Sequence, residues 1–97
     1  MQQSRPQPPS YDAASVELAL RELLREALGL PAERVAAFAD DTELFGALPE
    51  FDSMAVAAIL TGIEDGFGVW IEDDEVEAED FLTFGRLLAF TLRKVLG

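Results

Sequence analysis

Three segments of the chain place apolar residues at the three- and four-residue spacing of an amphipathic α-helix, and this periodicity restricts the possible folds most. The first segment starts near Asp12 and stops at Gly29, with Pro31 just beyond it, the usual order at the end of a helix. The second runs from 53 to about 66, and the third follows Thr83, a good N-cap residue. No two segments look like paired strands, so we predict an all-α bundle.

Each predicted helix has a continuous apolar stripe that we expect to face the core. The stripes consist of Val16, Leu20, Leu23, Leu24, Ala27 and Leu28 in the first helix, Val56, Ile59, Leu60, Ile63 and Phe67 in the second, and Phe84, Leu87, Leu88, Thr91, Leu92 and Val95 in the third. On the other side of the first helix, Glu17 with Arg21 and Glu22 with Arg25 have the spacing of surface ion pairs.

The connections between these helices have weaker signals. Residues 31–51 show no sustained period, but they contain enough apolar residues to attach a long loop to the core. Within this loop we expect helical turns near Ala32–Phe38 and Thr42–Phe45. The segment Val69–Ile71 alternates, so we expect its tryptophan to point outward and its two flanking residues inward. A short third helix is expected at Glu77–Phe81.

The composition indicates one small domain, which we assign to residues 11–97 of the 97-residue chain. Residues 1–10 contain three prolines, three glutamines and two serines, and they predict a disordered tail. The chain has no cysteine, so any thiol must come on a cofactor. It also has no long apolar run and no signal-peptide pattern at its start. We therefore expect a cytoplasmic monomer without membrane insertion.

Negative charge is concentrated in the middle of the chain. The formal net charge is −12, and no lysine or arginine occurs between Val35 and Gly85. Such a field repels nucleic acid and attracts basic protein surfaces. A requirement for solubility also favours an acidic composition, but it does not explain why all charged residues in the middle half of the chain are negative. The run Glu72–Glu75 lacks the ligand spacing and the glycine of a calcium loop, so we expect a solvated turn and no metal site.

Ser53 stands where the acidic loop becomes the second helix. A serine at this position is exposed and lies beside unpaired N–H groups at the positive end of the helix dipole, which suits a phosphate ester. The alternative is that Ser53 or Asp52 is simply an N-cap, a common role for both residue types. Catalysis by the Ser53 hydroxyl is disfavoured, because the chain has no histidine and no other base can be paired with it.

The face of the second helix opposite its stripe is small and weakly apolar. It consists of Met54, Ala57, Ala58, Thr61 and Asp65. Helix propensity alone accounts for alanine on such a face. We favour a flat docking strip instead, because Met54, an adaptable contact residue, directly follows the serine.

The sequence resembles the acyl carrier protein family. Asp52-Ser53-Met54 corresponds to the family's Asp-Ser-Leu signature, with a Leu to Met change that keeps size and apolarity. The likeness continues through Ile59–Gly68, a helix that ends in acids and then Phe-Gly, and on to Thr83–Gly85, and it spans Tyr11–Leu96. The resemblance implies a four-helix bundle of three main helices and a short third one, with a long loop between helices 1 and 2.

The resemblance also implies a function. Ser53 would carry covalent 4′-phosphopantetheine, attached by a phosphopantetheinyl transferase, and the thiol of that group would hold acyl cargo as a thioester. The chain would be a carrier and not an enzyme, with an acyl-loading ligase and acyl-transferring or condensing enzymes with basic surfaces as further partners. The expected contact residues are Asp52, Met54, Ala57, Ala58, Thr61, Glu50, Glu64 and Asp65.

The sequence departs from the family just after the serine, where many carriers expose acids and this chain has Ala55 and Ala58. We therefore expect a stand-alone carrier of a dedicated pathway. Two alternatives stay open: a peptidyl or aminoacyl carrier with the same arm, and a carrier-like interaction module without it. The small residues Ala57, Ala58 and Gly62 leave room beside the second helix, which permits a cavity for cargo.

Overall fold

A computed structural model describes residues 11–97; the predicted tail, 1–10, lies outside the described residues. Over the described range the helices are α1 (Ala13–Leu28), α2 (Ala32–Ala36), α3 (Ser53–Phe67) and α4 (Phe84–Leu96). Two 3₁₀ turns, Asp73–Glu75 and Ala78–Phe81, stand between α3 and α4. This part of the chain contains no strand, only an isolated bridge between Glu43 and Thr83. The predicted all-α fold is confirmed.

The long helices begin and end at the predicted signals. At the start of α1 the Asp12 carboxylate accepts the Ser15 N–H at 2.8 Å, and the Ser15 hydroxyl accepts the Asp12 N–H at 3.1 Å, which satisfies two otherwise unpaired donors. Gly29 ends α1 at a φ of 68°, a conformation that glycine adopts without strain. The side chains of Asp52 and Thr83 cap α3 and α4.

The helix α1 packs against α2, α3 and α4 and supplies the centre of the core. Its closest approach to α3 is at Gly62, where an added Cβ would lie 2.3 Å from Leu23 Cδ1. The predicted pairs Glu17 with Arg21 and Glu22 with Arg25 are present on the α1 surface. Leu23 therefore occupies part of the space beside Gly62, and a groove of about 300 Å³ lined by Leu23, Gly62 and Phe67 remains there.

Two of the predicted stripes each lack one buried residue. On α3 the five predicted residues lie in or against the core: Ile59 and Ile63 are buried, and the half-buried Val56, Leu60 and Phe67 pack against the core cluster. Ala55, which we placed on the exposed face, is 5% exposed. On α4 the stripe omitted Phe90, which is 1% exposed. Each core face is one row wider or shifted, because a helix that packs against several neighbours buries more than a single line of residues.

The segment 40–45, which we call the strap, runs across the start of α4, and the helical turn predicted at Thr42–Phe45 is wrong. Leu44 and Phe45 donate their N–H groups to the carbonyls of Leu82 and Phe81, at 2.8 and 3.0 Å. In return, Thr42 O and Asp40 O accept N–H groups from residues 84 and 85, at 2.9 and 2.8 Å. These bonds satisfy the loop backbone, so no local helix is needed.

The remaining connections follow the predictions closely. Within Val69–Ile71 the two flanking residues are half-buried and buried, and Trp70 is 71% exposed. The short third helix expected at Glu77–Phe81 is the second 3₁₀ turn, Ala78–Phe81. Within the described residues, no helix combines the length and apolarity needed to cross a membrane.

Candidate functional site

Ser53 is the first residue of α3, and the residue before it caps the helix. Asp52 Oδ1 accepts the N–H of Ala55 at 2.9 Å. The Ser53 side chain is exposed, and no hydrogen bond joins its hydroxyl to another residue of the range 11–97. Of the two residues proposed as caps, Asp52 has this role, and the Ser53 hydroxyl remains accessible to solvent.

Ser15 provides a comparison within the same molecule. It also lies in the first turn of a helix, but its hydroxyl donates to Asp12 O at 3.0 Å and accepts the Asp12 N–H. Its side chain is half-buried. Among the described serines, only Ser53 presents an unengaged hydroxyl at the start of a helix.

The electrostatics at the start of α3 favour a bound anion. The first N–H groups of a helix lack intrahelical acceptors, and the aligned peptide dipoles place positive potential there. The Asp52 carboxylate satisfies one of these donors, the Ala55 N–H, and the first turn of α3 itself contains no acidic side chain. A phosphodiester on Ser53 would be stabilised by the donors that remain at the helix end.

An apolar crevice of about 190 Å³ opens beside Ser53 and is lined by Phe45, Val56, Ala78 and Phe81. It lies between α3, the strap and the second 3₁₀ turn. The Phe51 ring packs against two of these lining residues. Its centroid lies 6.0 Å from that of Phe45 and 6.1 Å from that of Phe81. The sequence reasoning allowed for a cavity beside Ala57, Ala58 and Gly62 but did not indicate this one, whose wall at Phe45 is positioned by the hydrogen bonds of the strap.

The predicted docking strip is exposed along its whole length. Met54 is 80% exposed, and Ala57, Ala58, Thr61 and Asp65 are exposed as well. It continues directly from Ser53 along one side of α3. A surface of this shape can be approached by a flat partner surface, and the role of these residues as contacts stays a prediction.

Three of the acidic residues predicted as partner contacts also make contacts within the chain. Glu64 Oε2 accepts the Ile71 N–H at 3.0 Å, and Glu50 lies 3.7 Å from Arg34. Asp52 caps α3. Asp65 is exposed and forms no ion pair with a described residue.

The acidic run Glu72–Glu75 forms an ordered turn. Glu72 accepts the Trp70 Nε1–H at 2.7 Å, and Lys94 Nζ lies 2.8 Å from Glu75 Oε2. The hydrogen bond from Lys94 and the Glu72 N–H hold the pKa of Glu75 below its ordinary value. Across residues 11–97, no three acidic side chains are grouped so that they could hold a metal ion.

Comparison with known proteins identifies the class that this fold and this serine define. Residues 19–90 match the family described as "Phosphopantetheine attachment site". The match covers most of the chain, and the chain belongs to this family of carrier proteins. Its members are carriers and not catalysts, and their prosthetic group is covalently attached 4′-phosphopantetheine.

A solved structure gives the closer assignment. The solution NMR structure of a holo acyl carrier protein from Nitrosomonas europaea is 36% identical in sequence, with a TM-score of 0.73. The alignment covers 84% of this chain and 96% of that chain. The protein is therefore a carrier of the acyl carrier protein family, as the sequence resemblance predicted.

Proposed function

We propose that Ser53 is the attachment site of 4′-phosphopantetheine and that the chain is a stand-alone acyl carrier for a dedicated biosynthetic pathway. The observation that supports this most is the exposed hydroxyl of Ser53 on the first residue of α3. Because Asp52 caps the helix, esterification of Ser53 leaves the cap in place.

The chemistry assigned to the chain is simple. In the active site of a phosphopantetheinyl transferase, the Ser53 oxygen bonds to the coenzyme A phosphorus that bears pantetheine. The bond from that phosphorus to the adenosine bisphosphate leaving group breaks. The serine proton goes to a base of the transferase, since this chain contains no histidine. When bound, the group supplies the thiol that a cysteine-free chain lacks.

The crevice beside Ser53 favours acyl cargo over aminoacyl cargo. Its other lining residues, Phe45, Val56, Ala78 and Phe81, are all apolar. Burying a hydrocarbon chain there is favourable by roughly 25 cal/mol per Å². A charged amino group in the same place would lose its hydration without a hydrogen-bond partner.

Intact mass spectrometry tests the attachment site. The chain is incubated with coenzyme A, magnesium and a promiscuous phosphopantetheinyl transferase. Wild type and Ser15→Ala should gain the mass of one phosphopantetheine group, and Ser53→Ala should gain none. No gain by folded wild type, or the same gain by Ser53→Ala, would refute the proposal.

The cargo preference is tested by comparing carriers loaded with an eight-carbon acyl group and with an aminoacyl group. The acyl group should raise the urea midpoint of wild type, because it occupies the crevice, and the aminoacyl group should not. Ala78→Phe, which fills the crevice, should remove the acyl effect, whereas Ala58→Phe on the exposed strip should retain it. Equal protection by both cargos would contradict the preference.

Partners and location complete the proposal. A loading ligase and acyl-transferring or condensing enzymes with basic surfaces would contact the strip that begins at Met54, with Asp65 supplying charge. We place this carrier in the cytoplasm as a monomer. Gel filtration and cell fractionation test these two statements.

A further inference from the structure

We propose that Trp70 and the carboxylates that follow it form a second docking point for a basic protein, at which an arginine of the partner stacks on the indole. This point is remote from Ser53. The helix α3 has 15 residues from Ser53 to Phe67, a span of about 21 Å at 1.5 Å per residue. Trp70 lies beyond the far end.

The indole is presented on a fixed backbone. Trp70 is 71% exposed, yet its neighbour Ile71 is 8% exposed and anchored in the core. The N–H of Val69 donates to Glu64 O at 3.1 Å, and the N–H of Ile71 donates to Glu64 Oε2 at 3.0 Å. A large aromatic group held in this way loses little conformational entropy when a partner binds.

The ring also has a defined orientation and an open face. Its only hydrogen-bond donor, Nε1–H, is satisfied by Glu72 Oε2 at 2.7 Å. The remaining surface is the π face, which attracts cations. Elsewhere in the described chain, arginines cover aromatic rings: Arg21 on Phe84 at 4.4 Å, and another on Phe90 at 5.5 Å. No cation from residues 11–97 covers Trp70.

The charges around Trp70 specify the partner. Asp73 and Asp74 are exposed and have no ion-pair partner within residues 11–97, because Lys94 pairs with Glu75 and Arg93 lies 3.9 Å from Asp80. An exposed aromatic face followed within four residues by uncompensated carboxylates fits a cation. Arginine fits best, because its planar guanidinium stacks on aromatic rings, pairs with carboxylates and is weakly hydrated.

The test uses the full chain with dye-labelled, capped tetra-arginine and tetra-lysine peptides, followed by fluorescence anisotropy at low salt. Trp70→Leu should weaken tetra-arginine binding by about 2- to 30-fold, the range of single cation–π contacts. Leu18→Met, at an exposed apolar residue of α1 outside both docking surfaces, should leave binding unchanged. Wild type should prefer arginine over lysine, and Trp70→Leu should lose that preference.

Two further measurements separate this site from general attraction to an acidic protein. Asp73→Asn with Asp74→Asn should weaken binding more than Asp40→Asn with Asp41→Asn, which changes the net charge equally. The single tryptophan of the chain should also be quenched by tetra-arginine. All measurements are repeated in Ser53→Ala, where the same results are expected, so they do not depend on phosphopantetheine attachment.

Three outcomes would overturn the proposal. The first is tetra-arginine binding by Trp70→Leu at wild-type affinity. The second is equal weakening by the two asparagine pairs, which would mean that only net charge matters. The third is a blue shift of Trp70 emission with phosphatidylcholine vesicles and no response to the peptides, which would assign the indole to a lipid surface.

Discussion

Replacing Gly85 with alanine should loosen the strap, because Gly85 is where the strap and α4 approach most closely. An added Cβ would lie 2.7 Å from the carbonyl oxygen of Asp40, 3.0 Å from its Cβ and 3.1 Å from its Cα. The same carbonyl accepts the Gly85 N–H at 2.8 Å. The nearest atom belongs to the backbone, so the strain cannot be relieved by rotating a side chain.

The size of the effect follows from three contributions. Overpacking that shifts the backbone costs about 1–3 kcal/mol, and weakening a hydrogen bond costs about 1 kcal/mol. The higher helix propensity of alanine returns up to about 1 kcal/mol. The free energy of unfolding should therefore fall by about 1–3 kcal/mol, and the urea midpoint by about 0.7–2 M at a slope near 1.5 kcal/mol/M.

Gly66→Ala is the matched control, because no atom lies within 4 Å of the Cβ it would add to α3. Its urea midpoint should stay the same or rise, by up to about 1 kcal/mol in free energy. Since the strap carries Phe45 into the crevice, Gly85→Ala should also reduce the protection given by an acyl group. A midpoint for Gly85→Ala at or above that of wild type would refute the reasoning.

Five further substitutions test the cap of α3, the buried side of α3 and the ion pair of Glu75. Asp52→Ala removes the cap of α3 and should lower the free energy of unfolding by about 0.5–2 kcal/mol. Ser53→Ala should change the same free energy by less than about 0.5 kcal/mol. Equal losses of the two variants in urea denaturation would mean that both residues cap the helix. Ala55→Glu should lower the free energy of unfolding by about 3 kcal/mol or more, because it buries an unpaired charge. Ala58→Glu, on the exposed face, should leave the thermal midpoint nearly unchanged. A tolerated Ala55→Glu would place that residue on the surface. Glu75→Gln should lower stability at pH 7, because the lysine on α4 holds the pKa of Glu75 below its ordinary value of 4.5. That stabilisation is present above the pKa that Glu75 has in the unfolded chain, and it is lost as pH falls through the lower pKa of the folded protein. The stabilities of variant and wild type should therefore converge in acid. A stability difference that is independent of pH would contradict the ion pair.

The long helices were predictable because their signals are local. The start near Asp12, the stop at Gly29 and the stripe along α1 involve contacts within a few residues, and the structure has all three. The strap was not predictable in this way. Its residues have the composition of a helical turn, but their hydrogen-bond partners lie about forty positions later, at residues 81–85, and no local pattern encodes that pairing.

The crevice was missed for the same reason. Small residues such as Gly62 indicated room beside α3, and a groove lined by Gly62 and Leu23 is present there. That groove shares no lining residue with the crevice beside Ser53. The crevice is formed by Phe45 and Phe81, which the strap brings together through the bond from Phe45 N–H to Phe81 O. Large aromatic residues therefore enclose the space beside the serine.

The division of roles between Asp52 and Ser53 links the fold to the proposed attachment. Burial of Ile59 and Ile63 in the core sets the rotation of α3, and in that rotation Ala55 is buried and Met54 is exposed. Because the Asp52 carboxylate accepts the Ala55 N–H, the helix does not need the serine oxygen as its cap. A cap at Ser53 would instead engage the serine oxygen with a backbone N–H of the first turn. One carboxylate thus leaves the serine hydroxyl accessible beside the exposed strip.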